Sequence, residues 1–330
     1  MTLQRWLTAT RSTRILCRVV AVAFVISMGA FALPVGLRSQ EPSLFHGRVD
    51  FVSVGVTVAD KRHRLMTDLD ANDFAVYEDG KPQTIRAFSR GAGPGPQLHV
   101  GVLLDVSGSQ ELDLTFTQSA AIRFLRSLPD AMDVTFIDFA TNVRTAHYSR
   151  TDFSDLVEHI WALRSGGYTS LYDAIGVYLD GARGEDGRKV MVLYTDGDDT
   201  RSSMSFSALM DLLKGSDATV YAIGAVEHQP EGVRTGQQKI MTQIAEATGG
   251  AAFFPEKTRD LDRIYERVVG EIRAQYTIGY ISTNATTDGT WRKVEVKITR
   301  PEAKHFRVRA RKGYYAANDV AAHGAAAGQR

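Results

Sequence analysis

Two uninterrupted apolar runs set the fold class. Val100-Gly101-Val102-Leu103-Leu104 and Met191-Val192-Leu193-Tyr194, the latter led in by Val190, contain no charged side chain. A strand with one wet face alternates apolar and polar residues; a strand without alternation is covered on both faces. Such strands belong to parallel sheets, whose crossover connections lay helices on either side. The intervening chain supplies those helices. Phe116, Ala120, Phe124 and Leu128 recur at helical spacing, as do Leu171, Ile175 and Leu179. Thr151 or Asp152 is placed to cap a helix bearing Leu156, Ile160 and Leu163. Further strands are predicted over Val134–Phe139, Thr219–Val226 and Ala251–Phe254. Further helices are predicted over Phe206–Leu213, around Ile240, Ile244 and Ala247 with an end at Gly249-Gly250, and over Leu261–Ile272. The expected class is α/β, a doubly wound, mostly parallel sheet.

Both flanks read differently. Val52, Val54, Val56 and Val58 alternate with Ser53, Gly55 and Thr57, the mark of a half-buried strand. Asp60 to Arg64 is a polar turn. Phe74 to Glu78 runs into Asp79-Gly80, a pair suited to the positive φ values of a hairpin turn, with Gln83–Phe88 as the return strand. Gly91 to Pro96 is a linker. Alternation returns over Tyr276–Ile281, Val294–Ile298 and Phe306–Ala310, with a turn at Thr287-Asp288-Gly289. Neither flank has enough strands to enclose a core alone. They are expected to pair into one β-sandwich, with the α/β domain inserted between them. The expected organisation is a signal peptide or N-terminal anchor over 1–32, a β-rich segment over 44–90, the α/β domain over 97–256, a connecting helix over 257–275, a second β-rich segment over 276–315 and a disordered tail over 316–330.

The N-terminus resembles an export signal. Arg5, Arg11, Arg14 and Arg18 precede an apolar run from Val19 to Leu33, and Ala30-Phe31-Ala32 offers small residues at the −3 and −1 positions of a cleavage site. Cleavage and retention as an anchor are both open readings; either places the chain outside the cytoplasm, periplasmic, secreted or on the cell surface. Cys17 is the sole cysteine, so the processed chain has no thiol. Removing residues 1–32 leaves 35 basic against 38 acidic side chains, a net charge of −3. That mild balance argues against nucleic acid as a partner.

The chemistry gathers at strand ends. The first apolar run delivers Asp105-Val106-Ser107-Gly108-Ser109 to the carboxyl edge of the sheet, where open α/β sheets bind ligands. One carboxylate and two hydroxyls within five residues can converge on a hard cation, and oxygen ligands carrying few charges suit Mg²⁺ or Mn²⁺. The bland reading is turn chemistry, since Ser, Gly and Asp are ordinary turn formers. Two further stretches stand at comparable places. Gly166-Gly167-Tyr168-Thr169-Ser170 puts a threonine before a helix, where it also reads as a cap. The second apolar run ends in Thr195-Asp196-Gly197.

In this order and spacing, the three stretches resemble the metal-ion-dependent adhesion site of the von Willebrand factor A (VWA) domain family, over about Leu98 to Phe254. The resemblance implies a Rossmann-like sheet whose first strand lies beside its fourth. It implies that Ser107 and Ser109 ligate a divalent metal directly, that Asp105 and Asp196 hold it through water or direct contact, and that Thr169 completes the cradle. It further implies a non-catalytic protein whose metal bridges to an Asp or Glu of a partner protein. A wider pattern is similar to the acidobacterial exported VWA proteins: Phe74-Ala75-Val76-Tyr77-Glu78-Asp79-Gly80 before the domain and Arg311-Lys312-Gly313-Tyr314-Tyr315 at its close.

Other readings fit less well. An aspartate-based phosphatase needs a second carboxylate two residues beyond Asp105, where Ser107 stands. Acyl transfer from Ser107 or Ser109 needs a positioned base; His147 and His159 are available, His159 on the polar side of an amphipathic helix. Asp68-Leu69-Asp70-Ala71-Asn72-Asp73 starts like a Ca²⁺ loop but has Asp73 in place of the required Gly and Asp79 in place of the closing Glu, so a turn or cap is expected. Asp198 and Asp199 are expected at the loop surface, and Asp173 behind the site. Tyr168 and Tyr172 are expected either to edge it or to pack against the sheet. The alternative function is a structural or complex-assembly role in the envelope, with membrane contact only through an uncleaved N-terminal helix.

Overall fold

The computed structural model describes residues 51–91, 96–128, 131–224, 230–255 and 260–318. The candidate export signal, Cys17, most of the Gly/Pro linker and residues 319–330 of the tail lie outside them. In chain order, β1 (Phe51–Asp60), β2 (Phe74–Glu78), β3 (Lys81–Gln83) and β4 (Ile85–Arg90) come first. Next are β5 (Leu98–Asp105), α1 (Leu114–Arg126), β6 (Ala131–Phe139), β7 (Val143–Ser149), α2 (Phe153–Ala162) and α3 (Leu171–Gly181). They are followed by β8 (Arg188–Thr195), α4 (Phe206–Gly215), β9 (Thr219–Gly224), α5 (Glu231–Ala247), β10 (Ala251–Phe253) and α6 (Asp260–Ala274). β11 (Tyr276–Ile281), β12 (Trp291–Ile298), β13 (Phe306–Ala310) and β14 (Gly313–Tyr315) close the described chain. Among the described residues no helix is long and apolar enough to cross a membrane.

The central sheet has the order β10-β9-β8-β5-β6-β7. Every pairing in it is parallel except β6 with β7. The first strand of the unit, β5, therefore lies beside the fourth, β8, and the order reverses between them. Val100, Val102 and Leu104 point to one face, into a core with Phe124 of α1, Ile160 of α2 and Val268 of α6. Leu103 points to the other, against Ile175 of α3, Leu209 of α4 and Ile244 of α5. Two covered faces account for the unbroken apolar runs. Gly101 is part of the same fit: a Cβ there would stand 2.1 Å from the Tyr178 ring, so only glycine lets α3 seat on β5.

The flanks form two antiparallel four-stranded sheets, β13-β1-β11-β4 and β14-β12-β2-β3. Each mixes strands from before and after the α/β unit, so the unit is inserted into a sandwich. Val52, Val54, Val56 and Val58 of β1 share one core with Phe74 and Val76 of β2, Ile278 of β11 and Val294 of β12. Asp79 (φ 47) and Gly80 (φ 80) make the predicted hairpin turn. The return strand departs from expectation. Only Lys81–Gln83 pairs back with β2, while Ile85–Arg90 crosses to the other sheet beside β11. Pro82 has no N–H to donate and stands on the sheet edge, which keeps that ladder short. Phe88 then stacks on Tyr276 across the core, with ring centroids 5.7 Å apart.

The edge strand β7 was not among the predicted strands: it carries no apolar run, and its residues are exposed or half-buried. Asp152 stands at the N-cap of α2, one of the two positions expected, without a side-chain cap bond. Ser149 caps the 3₁₀ turn before it, its hydroxyl accepting from the Thr151 N–H (3.3 Å) while the Asp152 carboxylate accepts from the Ser149 N–H (3.1 Å).

Glu78 fastens the two ends of the sandwich. Its buried carboxylate accepts hydrogen bonds from the Tyr280 hydroxyl (2.9 Å), the Tyr314 hydroxyl (2.9 Å) and the Ser282 hydroxyl (2.5 Å). The Glu-Asp-Gly segment and the Gly-Tyr-Tyr segment thus meet at one buried acid. Glu78→Ala removes the acceptor and leaves several donors behind in the core. The expected loss is about 2–4 kcal/mol, since each stranded buried polar group costs roughly 1–3 kcal/mol. Urea unfolding of the chain and the variant measures it; a loss below about 0.5 kcal/mol would mean that the hydroxyls find other acceptors.

Candidate metal centre

Register brings the site together. β5 and β8 are parallel neighbours with Leu104 opposite Tyr194. The next residues, Asp105 and Thr195, therefore stand side by side with their side chains on the same face. The Thr195 hydroxyl donates to Asp105 Oδ2 at 2.6 Å, and the Ser107 N–H donates to Asp105 Oδ1 at 2.9 Å. These two bonds fix the carboxylate at the strand end. The chain then tightens into a 3₁₀ turn, Gly108–Gln110, which sets the Ser107 and Ser109 hydroxyl oxygens 3.1 Å apart.

Backbone hydrogen bonds lock the three predicted stretches to one another. The Gly108 N–H donates to the Gly167 carbonyl (3.0 Å), and the Gly166 N–H to the Val106 carbonyl (2.8 Å). Gly167 has φ 84, and a Cβ on it would meet the Thr141 hydroxyl at 2.5 Å, so the loop needs a glycine there. Thr169 is buried and fastened on its other side. Its N–H donates to Thr200 Oγ1 (3.0 Å), and its carbonyl accepts from the Thr200 and Arg201 N–H groups (both 2.9 Å). The loop that follows Asp196 is thus tied to the loop that carries Thr169.

Asp105, Ser107, Thr169 and Asp196 are all buried. Asp196 Oδ1 accepts from the Asp198 N–H at 3.1 Å, while its buried Oδ2 has no hydrogen-bond partner among the described residues. Burial pushes the Asp105 carboxyl up to about 7, and the negative charge of Asp196 pushes in the same direction against the hydrogen bonds from Ser107 and Thr195. Two buried acids near each other, one with an orphaned oxygen, are an unfavourable arrangement unless something positive is shared between them. The donor set is all oxygen, two carboxylates and three hydroxyls, which fits a small hard divalent cation. Among the described residues no three His, Cys, Asp or Glu side chains group as metal ligands; the predicted set has only two acids, and hydroxyls supply the rest.

Several residues around the site escaped the sequence or were misplaced by it. Thr195 was visible only as part of a turn, although it holds Asp105. Asp173 does stand behind the site: its carboxylate accepts from the Ser203 N–H (2.8 Å) and the Met204 N–H (2.9 Å), which anchors the loop after Asp196 to α3. Asp199, expected at the surface, accepts from the Tyr172 N–H (3.1 Å) and the Ser202 hydroxyl (2.6 Å) in the same lattice. Asp198 is exposed, as expected. Tyr172 packs on Phe206 with centroids 5.6 Å apart, and Tyr168 stands out into solvent. The histidines are engaged elsewhere, His147 with the Thr135 hydroxyl (3.1 Å) and His159 with the Tyr148 hydroxyl (2.7 Å). In the second acidic loop, Asp70 and Asp73 form the capping box of a short 3₁₀ turn. Arg300 pairs with Asp68 and Asp73, and Arg90 with Asp70.

The model of the von Willebrand factor type A domain matches residues 99–267, half of the chain. The chain belongs to the VWA domain family. No curated protein matches it. Among solved structures it is similar to the von Willebrand factor type A protein of Catenulispora acidiphila, at 12% identity over 83% of this chain and 75% of that one, with a TM-score of 0.46. It is similar also to BatB of Bacteroides thetaiotaomicron, at 15% identity over 53% of this chain and 98% of that one (TM-score 0.42). The PilB minor pilin of Streptococcus sanguinis is similar at 10% identity over 55% of this chain (TM-score 0.44), and the match spans 62% of the pilin.

The raised Asp105 pKa gives this VWA domain a pH signature when metal-free. The folded value, about 7, lies above the ordinary 3.8, so the folded state holds this proton more tightly than the unfolded chain does. The contribution is fully present below pH ~4 and is lost as pH rises to ~7. The loss is at most ~4 kcal/mol, at 1.36 kcal/mol per pKa unit. In EDTA, Asp105→Asn is therefore expected to gain stability over the parent progressively across that window, with no further gain above it. Urea unfolding at a series of pH values checks this; a parent–variant difference independent of pH would mean that the carboxylate is better solvated than its burial implies.

Proposed function

We propose that this VWA protein binds a partner protein outside the cytoplasm through Mg²⁺ or Mn²⁺ held by Asp105, Ser107, Ser109, Thr169 and Asp196. The observation that carries the reading is the buried Asp196 oxygen without a hydrogen-bond partner among the described residues, near a second buried acid, Asp105. When bound, the ion supplies a positive point at the carboxyl edge of the sheet to which a partner's Asp or Glu is drawn. The chain's own residues do the rest. Thr195 and the Ser107 N–H hold Asp105 in one orientation, the Gly108–Gly167 bond holds the hydroxyl loop against the Thr169 loop, and Asp173 holds the loop beyond Asp196. Nothing in this assignment requires turnover, and the role is recognition.

Export rests on the four N-terminal arginines and the apolar run after them. N-terminal sequencing of the native protein tests it: a start near Leu33 supports a cleaved signal, and an intact Met1 supports an anchor. The finer likeness to acidobacterial exported VWA proteins rests on the Phe74–Gly80 and Arg311–Tyr315 segments of the sequence.

Calorimetric titration of the chain with Mg²⁺ and with Mn²⁺ tests the site. Saturable binding is expected, with none in Asp105→Ala. Asp173→Ala touches no proposed ligand, yet it frees the loop after Asp196. It is expected to weaken metal binding by roughly 10-fold or more, the effect typical of residues that orient ligands. If the parent takes up neither ion, or if Asp105→Ala binds as the parent does, the metal-bridged reading is wrong.

A further inference from the structure

From two exposed side chains at this site we infer that the partner presents its acidic residue from an apolar segment, seated against Leu112 and Tyr168. The inference rests on the metal-bridged reading and narrows the kind of partner it admits.

Leu112 is 81% exposed and Tyr168 66% exposed, the two highest values among the exposed large hydrophobic residues of the described chain. Single exposed apolar residues are ordinary on a protein surface. These two are not placed at random. Leu112 follows Ser109 by three residues, and Tyr168 immediately precedes Thr169, so both flank proposed ligands. Their loops are joined by the Gly108–Gly167 hydrogen bond. The two residues therefore stand on loops that are joined beside the proposed ligands.

Both are also displayed on firm backbone. The Tyr168 N–H donates to the Thr141 hydroxyl at 3.0 Å, and its neighbours Gly167 and Thr169 are held by the bonds described above. On the other loop, the Asp113 N–H donates to the Gln110 carbonyl (3.0 Å) and the Thr117 N–H to the Asp113 carbonyl (2.8 Å), bracketing Leu112 in helical turns. A side chain on an ordered base loses little freedom when a partner covers it, and tyrosine has only two torsions to lose. Tyrosine is among the residues that concentrate binding energy at interfaces, and Leu112 adds apolar area beside it.

The exposed charges on the loops around the site balance, Glu111 and Asp198 against Arg164 and Arg201, so the apolar pair, not a net charge, sets what stands beside the partner's carboxylate.

The test uses a displayed peptide library with a fixed central glutamate and random residues on either side, selected on the full chain in Mg²⁺. Leu112→Ser, Tyr168→Ser and the double variant are measured beside it. Both positions are exposed, so the variants are expected to fold, and calorimetry with Mg²⁺ confirms that their metal site is unchanged. The expected result is enrichment of apolar residues beside the glutamate. The double variant is expected to bind the selected peptides at least about tenfold more weakly, in keeping with loss of an interface anchor. Peptides that need Mg²⁺ and the glutamate but show no apolar preference, or bind the double variant equally well, overturn this inference and leave the metal-bridged reading standing. Peptides that bind undiminished in EDTA or with glutamine in place of the glutamate overturn the metal-bridged reading. No enrichment at all overturns both.

Discussion

The parallel pairing of β5 with β8 is the constraint on which the rest depends. It sets Leu104 beside Tyr194, and one residue further on it sets Asp105 beside Thr195 and the start of the Asp196 loop. A slip of one residue would turn Asp105 to the opposite face and place it in the α1 layer. What forbids the slip is the burial of both faces. Val100, Val102 and Leu104 fit one helix layer, while Leu103 and the bare Gly101 fit the other, where the Tyr178 ring occupies the space a Cβ would need. The precision of the polar site is thus inherited from apolar packing one to five residues away.

The sandwich adds a second kind of order. The α/β unit enters and leaves between β4 and β11, which are themselves paired, so its two ends are held side by side in one sheet. Several arginines and glutamines work at this junction. Arg188 donates to the Ile272 carbonyl and to Gln275 Oε1, and Gln275 Nε2 donates to Thr219 Oγ1 at 3.1 Å. Glu271 of α6 pairs with Arg309 of β13. These bonds run from the amino ends of β8 and β9 and from α6 to the sandwich. The carboxyl edge of the sheet, with Asp105 and Asp196, is left to its loops. A VWA domain mounted this way is carried by one end and presents the other.

How much of this could be read from the sequence depended on where each residue's partner lies. The strands β5 and β8 were legible because burial on two faces leaves a run that no surface element has. The site was legible because Asp105, Ser107 and Ser109 crowd into five residues, and because Thr169 and Asp196 each follow a local signal, a pair of glycines or an apolar run. The edge strand β7 was not legible. With one neighbour and little burial, it has no need for an apolar pattern, and its Arg144, His147 and Ser149 read as loop. The path of β4 was hidden for a different reason: Ile85 and Phe88 suit either sheet, and only contact with Tyr276, far along the chain, decides between them. The role of Asp199 and the partners of Asp173 were hidden likewise, since the N–H groups they hold lie 27 to 31 residues away.

The energetics of the site argue that its polar floor and its apolar rim have separate tasks. A buried Asp105 held by neutral donors alone costs the fold stability, and the orphaned Asp196 oxygen adds to that cost. A loop selected for stability alone would place apolar residues or solvated acids there. The second acidic loop shows what such a solution looks like, with Asp68, Asp70 and Asp73 each paired to an arginine, the first two at the surface and the third half-buried. No arginine or lysine is bonded to Asp105 or Asp196 among the described residues. Charge is thus concentrated where water cannot screen it, and an ion or an acid brought there is felt strongly but without selectivity, since any carboxylate carries the same charge. Selectivity has to come from groups that read what surrounds the carboxylate. Leu112 and Tyr168, exposed on the two joined loops, are the groups in a position to do so.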